Sequence, residues 1–168
     1  PLVEAAIRIT LADTYRSLSE YTIAARHAKR AVDLRETALG GSARQTIVAM
    51  HKLAGIYRDN GQIAEAAPVY DEACRSARAA LAPDDALSLT VMNNFGLFCH
   101  AQGRFREAEE LLEDVLRQKV RLDRGDTKLR TLATMNNLAM VYVAMSRFKE
   151  AEELHSKELE LSKQINGK

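Results

Sequence analysis

The feature that most constrains this chain is that it repeats itself. Residues Thr134–Leu154 read TMNNLAMVYVAMSRFKEAEEL, and Val91–Leu111 read VMNNFGLFCHAQGRFREAEEL, with 11 of 21 positions identical at an offset of 43. Fainter copies stand at 49–69 (AMHKLAGIYRDNGQIAEAAPV) and 7–27 (IRITLADTYRSLSEYTIAARH), each displaced by a further 42. Every copy reads as a helix, a tight turn and a second helix. A fixed period of this size decides the architecture before any residue is read for chemistry. One hairpin cannot bury its apolar stripe alone, so the copies must stack. The expectation is an all-α, right-handed solenoid of four hairpins, about eight helices in one domain, with repeats at about 1–41, 42–83, 84–125 and 126–168.

Punctuation along the chain supports those boundaries. Leu11, Tyr15 and Leu18 give one stripe on the first helix; Ala24, Ala28, Ala31 and Leu34 give one on the second. Gly40-Gly41 stops that helix, and Ser42-Ala-Arg-Gln45 has the form of a capping box for the next. Met50, Leu53 and Tyr57 form the third stripe, and Asn60-Gly61 supplies a left-handed turn residue. Pro68 lies beyond the first turn of its helix and should bend it rather than break it, because apolar spacing continues through Val69, Tyr70, Ala73 and Cys74.

At Ala82-Pro83-Asp84-Asp85, Pro83 disfavours helix before it, and an Asp after it can accept from free amides at a helix start. The third copy carries Met92, Phe95 and Cys99, then Phe105, Ala108, Leu111, Leu112 and Val115, with Gly103 at the turn. Arg124-Gly125-Asp126 separates it from the fourth, which carries Met135, Leu138, Tyr142, Phe148, Ala151 and Leu154. Ser146 stands where Gly61 and Gly103 do, as Ser19 does in the first copy. Small residues recur at two places, Ala12, Ala54, Gly96 and Ala139, and Ala24, Ala66, Ala108 and Ala151, which lets paired helices approach closely. No window alternates with period two, so no sheet is expected.

Composition removes several function classes. Lys plus Arg total 24 against 23 Asp plus Glu, a net charge of +1, which argues against a dedicated nucleic-acid binder. No apolar run approaches the ~18 residues of a membrane span, and Glu4 and Arg8 break the apolar start, so it is not a signal peptide. The chain lacks an initiator Met and reads as a fragment of a longer protein. Cys74 and Cys99 form no disulfide framework; both lie on apolar helix faces and read as core cysteines, in keeping with a reducing, cytoplasmic setting.

The recurring Leu or Phe, then Ala or Gly, then Tyr three residues on, a turn Gly and a second-helix Ala resembles the tetratricopeptide repeat (TPR). Leu53, Ala54, Tyr57, Gly61 and Ala66 match it in the second copy. The chain departs from the pattern where Met50, Met92, Met135 and Arg8 replace the family's Trp, and where the closing Pro has no counterpart. The long period, with its NNLA-like start and GRFxEAEEL-like second helix, resembles the kinesin light chain class, also found in bacterial signalling proteins. About eight extra residues, at 1.5 Å rise each, lengthen each helix by about one turn.

That resemblance implies a non-catalytic scaffold for protein–protein interaction, with the first helix of each repeat lining a groove for a peptide or protein segment. By position the groove takes Thr10, Asp13 and Arg16; His51, Lys52 and Arg58; Asn93, Asn94, Leu97 and His100; and Asn136, Asn137, Met140 and Val143. These fall at helical spacings on the face away from the Leu–Tyr stripe. Lys52, Asn94 and Asn137 are equivalent; an amide offers a donor and an acceptor, so such a ladder can hold a bound backbone. The competing reading is that these Asn bond within their turn or to the next repeat. Arg16, Lys52 and Arg58 favour a partner of acidic character, partly offset by Asp13 and Asp59. The carboxylate clamp of chaperone-tail binders does not fit, because its positions hold Ile9, Asp13, Lys52, Thr90 and Asn94.

Two basic clusters, Arg26, Lys29, Arg30 and Arg35, and Arg117, Lys119, Arg121 and Arg124, are interspersed with acids and lack aromatics, so they read as solvated faces rather than phosphate tracks. His27, His51, His100 and His155 are scattered without metal-ligand spacing; Glu152, Glu153 and His155 are close, but repeat three has Glu109 and Glu110 with no His. No phosphate loop or nucleophile elbow occurs, so neither enzyme activity, cofactor nor metal is expected. Glu158 stands where Val115 is apolar, which suits a capping last helix. An alternative reading is architectural: a repeat segment of a larger kinase- or NTPase-type signalling protein, self-associating through its terminal hairpins.

Overall fold

The computed structural model describes residues 1–122 and 127–166, the side chains of 127–130 and 164–166 excepted. The described residues form eight helices and no strand: α1 (Leu2–Ser17), α2 (Tyr21–Leu39), α3 (Arg44–Asp59), α4 (Ile63–Ala80), α5 (Ala86–Ala101), α6 (Phe105–Arg121), α7 (Thr127–Ala144) and α8 (Phe148–Asn166). They pair as four hairpins in two compact units, Pro1–Ala82 and Pro83–Lys168. Within the first unit α2 packs on both α1 and α3, and α3 on α4; within the second, α6 packs on both α5 and α7, and α7 on α8. In each unit the second helix of the first hairpin thus covers the first helix of the next.

One turn is built four times. After α1 the amide of Ser19 donates to Arg16 O (3.0 Å) and that of Glu20 to Tyr15 O (2.9 Å). The same two bonds recur from Gly61 and Gln62, from Gly103 and Arg104, and from Ser146 and Arg147. This Schellman arrangement satisfies the last carbonyls of a helix and needs a left-handed residue. Gly61 (φ 72°) and Gly103 (φ 73°) supply it without strain, whereas Ser19 (φ 61°) and Ser146 (φ 60°) adopt it with a Cβ in place.

The starts and stops are mostly as the sequence implies. Gly40 ends α2 at φ 85°. Asp85 caps α5, accepting from Leu87 N (2.8 Å) and Ser88 N (3.4 Å). Helix α4 runs through Pro68 without a break. The capping box does not form: the cap of α3 is Ala43, which has no side chain to offer, and no side-chain bond closes that end. The local hydroxyl bond comes instead from Thr46, whose Oγ1 donates to Gly40 O at 2.9 Å, tying the buried start of α3 to the end of α2. The expected boundary at Arg124-Gly125-Asp126 lies outside the described residues.

The repeated small residues are buried in every copy, Ala12, Ala54 and Ala139 on the first helices and Ala24, Ala66, Ala108 and Ala151 on the second. At Gly96 even a Cβ would meet Leu112 Cγ at 2.9 Å, too close without a shift. Met50, Met92 and Met135, at the positions where the family has Trp, are each core residues. Cys74 and Cys99 are buried, as expected of core cysteines. The first stripe departs from the pattern. Leu18 is exposed, and Leu11 and Tyr15 are only half-buried, because no described helix covers that side of α1.

Candidate functional site

The first helices carry the positions singled out in the sequence, and each unit sets them differently. In the first unit the side chains of α1 and α3 reach one another through charge. Lys52 Nζ donates to both carboxylate oxygens of Asp13 at 2.7 Å. Arg16 donates through Nε (2.8 Å) and Nη2 (2.5 Å) to Asp59 Oδ2, while Arg58 donates through Nε (3.0 Å) and Nη2 (2.8 Å) to Asp59 Oδ1. Partial burial alone would raise the Asp59 carboxyl, but the bonds from Arg58 and Arg16 outweigh it and hold the group below its ordinary value. The Arg16 guanidinium lies over Gly55, where a Cβ would sit 3.5 Å from its terminal nitrogens. Thr10 is exposed on the same helix and donates to Ala6 O.

His51 belongs to this cluster. Burial first, and then the charges of Arg16, Lys52 and Arg58, push its imidazole down to about 4, so the ring is neutral at neutral pH. Its ring meets that of Tyr70 edge-on at 6.4 Å, and burial raises the Tyr70 phenol.

In the second unit the equivalent positions hold amides, apolar groups and His100. Asn137 Nδ2 on α7 donates to Asn93 Oδ1 on α5 at 3.3 Å, and Asn93 Nδ2 donates to Asn94 Oδ1 at 3.4 Å. Thr134 Oγ1 also reaches Asn93 Oδ1 (3.4 Å) and accepts from Lys119 Nζ at 2.6 Å. The structure therefore brings Asn93, Asn94 and Asn137 together across neighbouring repeats. Asn136 is exposed, with Nδ2 4.0 Å from Met140 Sδ. Met140 and Val143 are 46% and 49% exposed, Leu97 is half-buried, and His100 packs at 5.7 Å on the Phe105 ring.

Pairings that the sequence did not reveal lock α6 to α7. Tyr142 OH donates to Glu113 Oε1 at 2.9 Å, and burial with that carboxylate neighbour pushes the phenol up to about 12. Arg147 lies 4.5 Å above the Tyr142 ring and pairs with Glu150 and with Glu109 across the hairpins. The signal was present in the RFKEAEEL segment, where Arg147 stands three residues before Glu150, but its meaning depends on which helix lies opposite. On α8, His155 and Glu158 occupy positions that are apolar core in the other copies and bond to each other at 2.9 Å. Both side chains reach solvent, as suits a last helix that caps the stack.

The basic clusters carry ion pairs and hydrogen bonds: Arg30 lies 3.9 Å from Glu4, Arg117 pairs with Asp114, and Arg35 donates to Gln45 O. Arg124 lies outside the described residues. Among the described residues no three His, Cys, Asp or Glu side chains come together as a metal-ligand set. No described helix is long and apolar enough to cross a membrane.

A family model for the tetratricopeptide repeat matches residues 3–79, 45–121 and 87–164, three overlapping spans that together take in most of the sequence. The chain belongs to the tetratricopeptide repeat family. No curated protein sequence matches it. Among solved structures it is similar to BtubC (BKLC) from P. vanneervenii, at 21% identity and TM-score 0.90 over 98% of this chain and 65% of that one. It is similar also to the kinesin light chain-type TPR-like repeats of Podosopora anserina, at 18% identity and TM-score 0.67 over 95% of each chain. Aspartyl phosphate phosphatase F from Bacillus subtilis matches at 14% identity and TM-score 0.79, over 98% of this chain and 42% of its own. The chain thus spans about two thirds of BtubC and under half of the phosphatase. At these identities the likeness shows a TPR-like solenoid fold and no more.

Proposed function

We propose that this TPR chain is a non-catalytic scaffold that binds a peptide or protein segment of a partner on the faces of its first helices. The observation that carries the reading is on α7. One side of that helix sinks Met135, Leu138 and Val141 into the core, while the other leaves Met140 and Val143 about half exposed beside Asn136 and Asn137. Apolar side chains flanked by amides suit a bound chain, the former gripping a side chain and the latter a backbone. Asn137 also bonds to Asn93 and so joins repeats three and four, which means that a clamp role would share this amide with packing, while exposed Asn136 is left to a partner.

The test is selection of binders from a displayed peptide library, followed by titration of a chosen peptide. Met140→Asp with Val143→Asp is expected to weaken that peptide at least tenfold while the helical melt stays within a few degrees. Peptides that bind the double variant as well as the parent would sink the reading.

A second reading, self-association through the first hairpin, is favoured by Leu2, Val3 and Ile7, which stand exposed on α1. The position of Ile7 is filled in α3 and α7 by Ala49 and Thr134, both fully buried. Sedimentation over a concentration series, with Ile7→Glu as the variant, decides it: a parent that stays monomeric throughout excludes self-association.

A further inference from the structure

The Arg16–Asp59–Arg58 cluster is left with unmatched charge, because two guanidiniums share one carboxylate. Both guanidiniums turn the same edge, Nε with Nη2, to the single carboxylate of Asp59. Neither Nη1 group has an acceptor among the described residues. Arg16, Arg58 and Lys52 bring three positive charges; Asp13 and Asp59 return two; neutral His51 adds none, which leaves +1. The side chains are 34% (Arg16), 37% (Arg58) and 24% (Asp59) exposed, so water and ligands reach them while the stems are held.

Gly55 makes the site possible. Its equivalents in the third and fourth copies are Leu97 and Met140, either of which would fill the space that Arg16 occupies. Arg16 and Arg58 are themselves equivalent, so consecutive first helices present the same side chain in register. We propose that this pair is a binding site for the carboxylate of a Glu or Asp side chain in a partner peptide. The incoming oxygens accept from the Nη1 groups and complete an alternating set of two guanidiniums and two carboxylates. Arg pairs suit such planar, two-point recognition better than Lys does. Lys52, already held by Asp13, takes no part.

This inference rests on the reading of the first-helix faces as binding surfaces, yet it can fail alone. The probe is a short acetylated and amidated Gly/Ser peptide with a central Glu-Glu pair, set against its Gln-Gln twin. Binding is followed through the Nε–H resonances of the arginine side chains. The Glu-Glu peptide is expected to shift the Arg16 and Arg58 signals saturably, and the Gln-Gln peptide to leave them in place. Arg16→Gln and Arg58→Gln, each checked for an unchanged helical spectrum, are expected to weaken the Glu-Glu peptide at least fivefold, and Arg75→Gln on α4 to leave it unchanged. Equal response to both peptides, no response to either, or shifts confined to other arginines overturns the site. A library-selected peptide that still binds near Met140 in that event preserves the broader function and rejects only the acid-binding pair.

Discussion

The two units are built on one plan and finished with opposite chemistry. Each has two hairpins, the same Schellman turns and the same buried small residues. On the first-helix faces, however, Lys52, Gly55 and Arg58 in the first unit stand where the second has Asn94, Leu97 and His100, then Asn137, Met140 and Val143. On these faces neighbouring repeats are therefore joined by ion pairs in one unit, Lys52–Asp13 and Arg16–Asp59, and by an amide–amide hydrogen bond in the other, Asn137–Asn93. The core positions behind them keep their character: Ile56, Phe98 and Val141 are equivalent and all at most 1% exposed. Stacking dictates the core and leaves the face open to variation, which is what a repeat used for recognition requires.

The largest effect should therefore ignore the difference between units. Phe98→Ala removes a fully buried ring and should cost about 3–5 kcal/mol; Ile56→Ala at the matching position should cost about 2–5 kcal/mol. Chemical denaturation measures both. A loss below about 1 kcal/mol at either would mean that the two cores are not equivalent.

The next effect should separate the units by pH. The His51 pKa is about 4 in the folded chain against about 6.5 unfolded. The unfolded chain then takes up a proton first, so stability is full above pH 6.5, falls as pH drops below it, and the loss is complete near pH 4. The size is roughly 2–3 kcal/mol, from the shift in that window. His27, lowered by burial and by Arg8 and Arg26, adds in the same sense. His51→Asn, which installs the residue found at positions 93 and 136, should flatten most of this dependence in melts between pH 7 and 4.5. An unaltered slope would show that His51 is not the source.

Salt should draw the contrast more finely. Asp59→Asn leaves Arg16 and Arg58 facing each other without their shared acceptor. It should cost about 1 kcal/mol at low ionic strength and less near 0.5 M salt, because exposed charges are screened there. Asn137→Ala in the second unit should cost a similar amount, about 1 kcal/mol for a neutral hydrogen bond, with little change on adding salt. Parallel denaturation series in two salt concentrations compare them. The same salt response in both variants would dissolve the distinction.

Much of this was legible in the sequence, and for definite reasons. The period of 42–43, the turn residues and the small-residue register fix the hairpins and their core, because each is a local constraint repeated four times. Asp85 could be read as a cap since its amides lie two and three residues away. The Ser42 capping box failed because its rival was tertiary: the start of α3 is seated against the end of α2, and Thr46 is the hydroxyl that reaches back. Spacing also put Arg16, Lys52 and Arg58 on one face, but not in their pairings. That Asp59 would hold two arginines, or that Arg16 would lie over Gly55, depends on the packing of α1 beside α3, to which no sequence window refers. The bond from Tyr142 to Glu113 was missed for the same reason.

The smallest expected effect lies at the turns, where each unit contains its own control. Ser19 in the first and Ser146 in the second hold φ near 60°, a region that costs a residue with a Cβ about 1–2 kcal/mol. Gly61 and Gly103 make the same turn in the neighbouring hairpins and avoid that cost. Glycine in turn loses more backbone freedom on folding, about 0.5–1 kcal/mol relative to alanine, which offsets part of the gain. Ser19→Gly and Ser146→Gly should therefore each stabilise by about 0.5 kcal/mol, and Gly61→Ala and Gly103→Ala should destabilise by about 1 kcal/mol. The four variants, measured by denaturation, form a reciprocal set: the sign must reverse between the Ser and the Gly positions in both units. Stabilisation at Ser146 but not at Ser19 would mean that the exposed first hairpin relaxes its turn in solution, and the equivalence of the two units would then stop at α1.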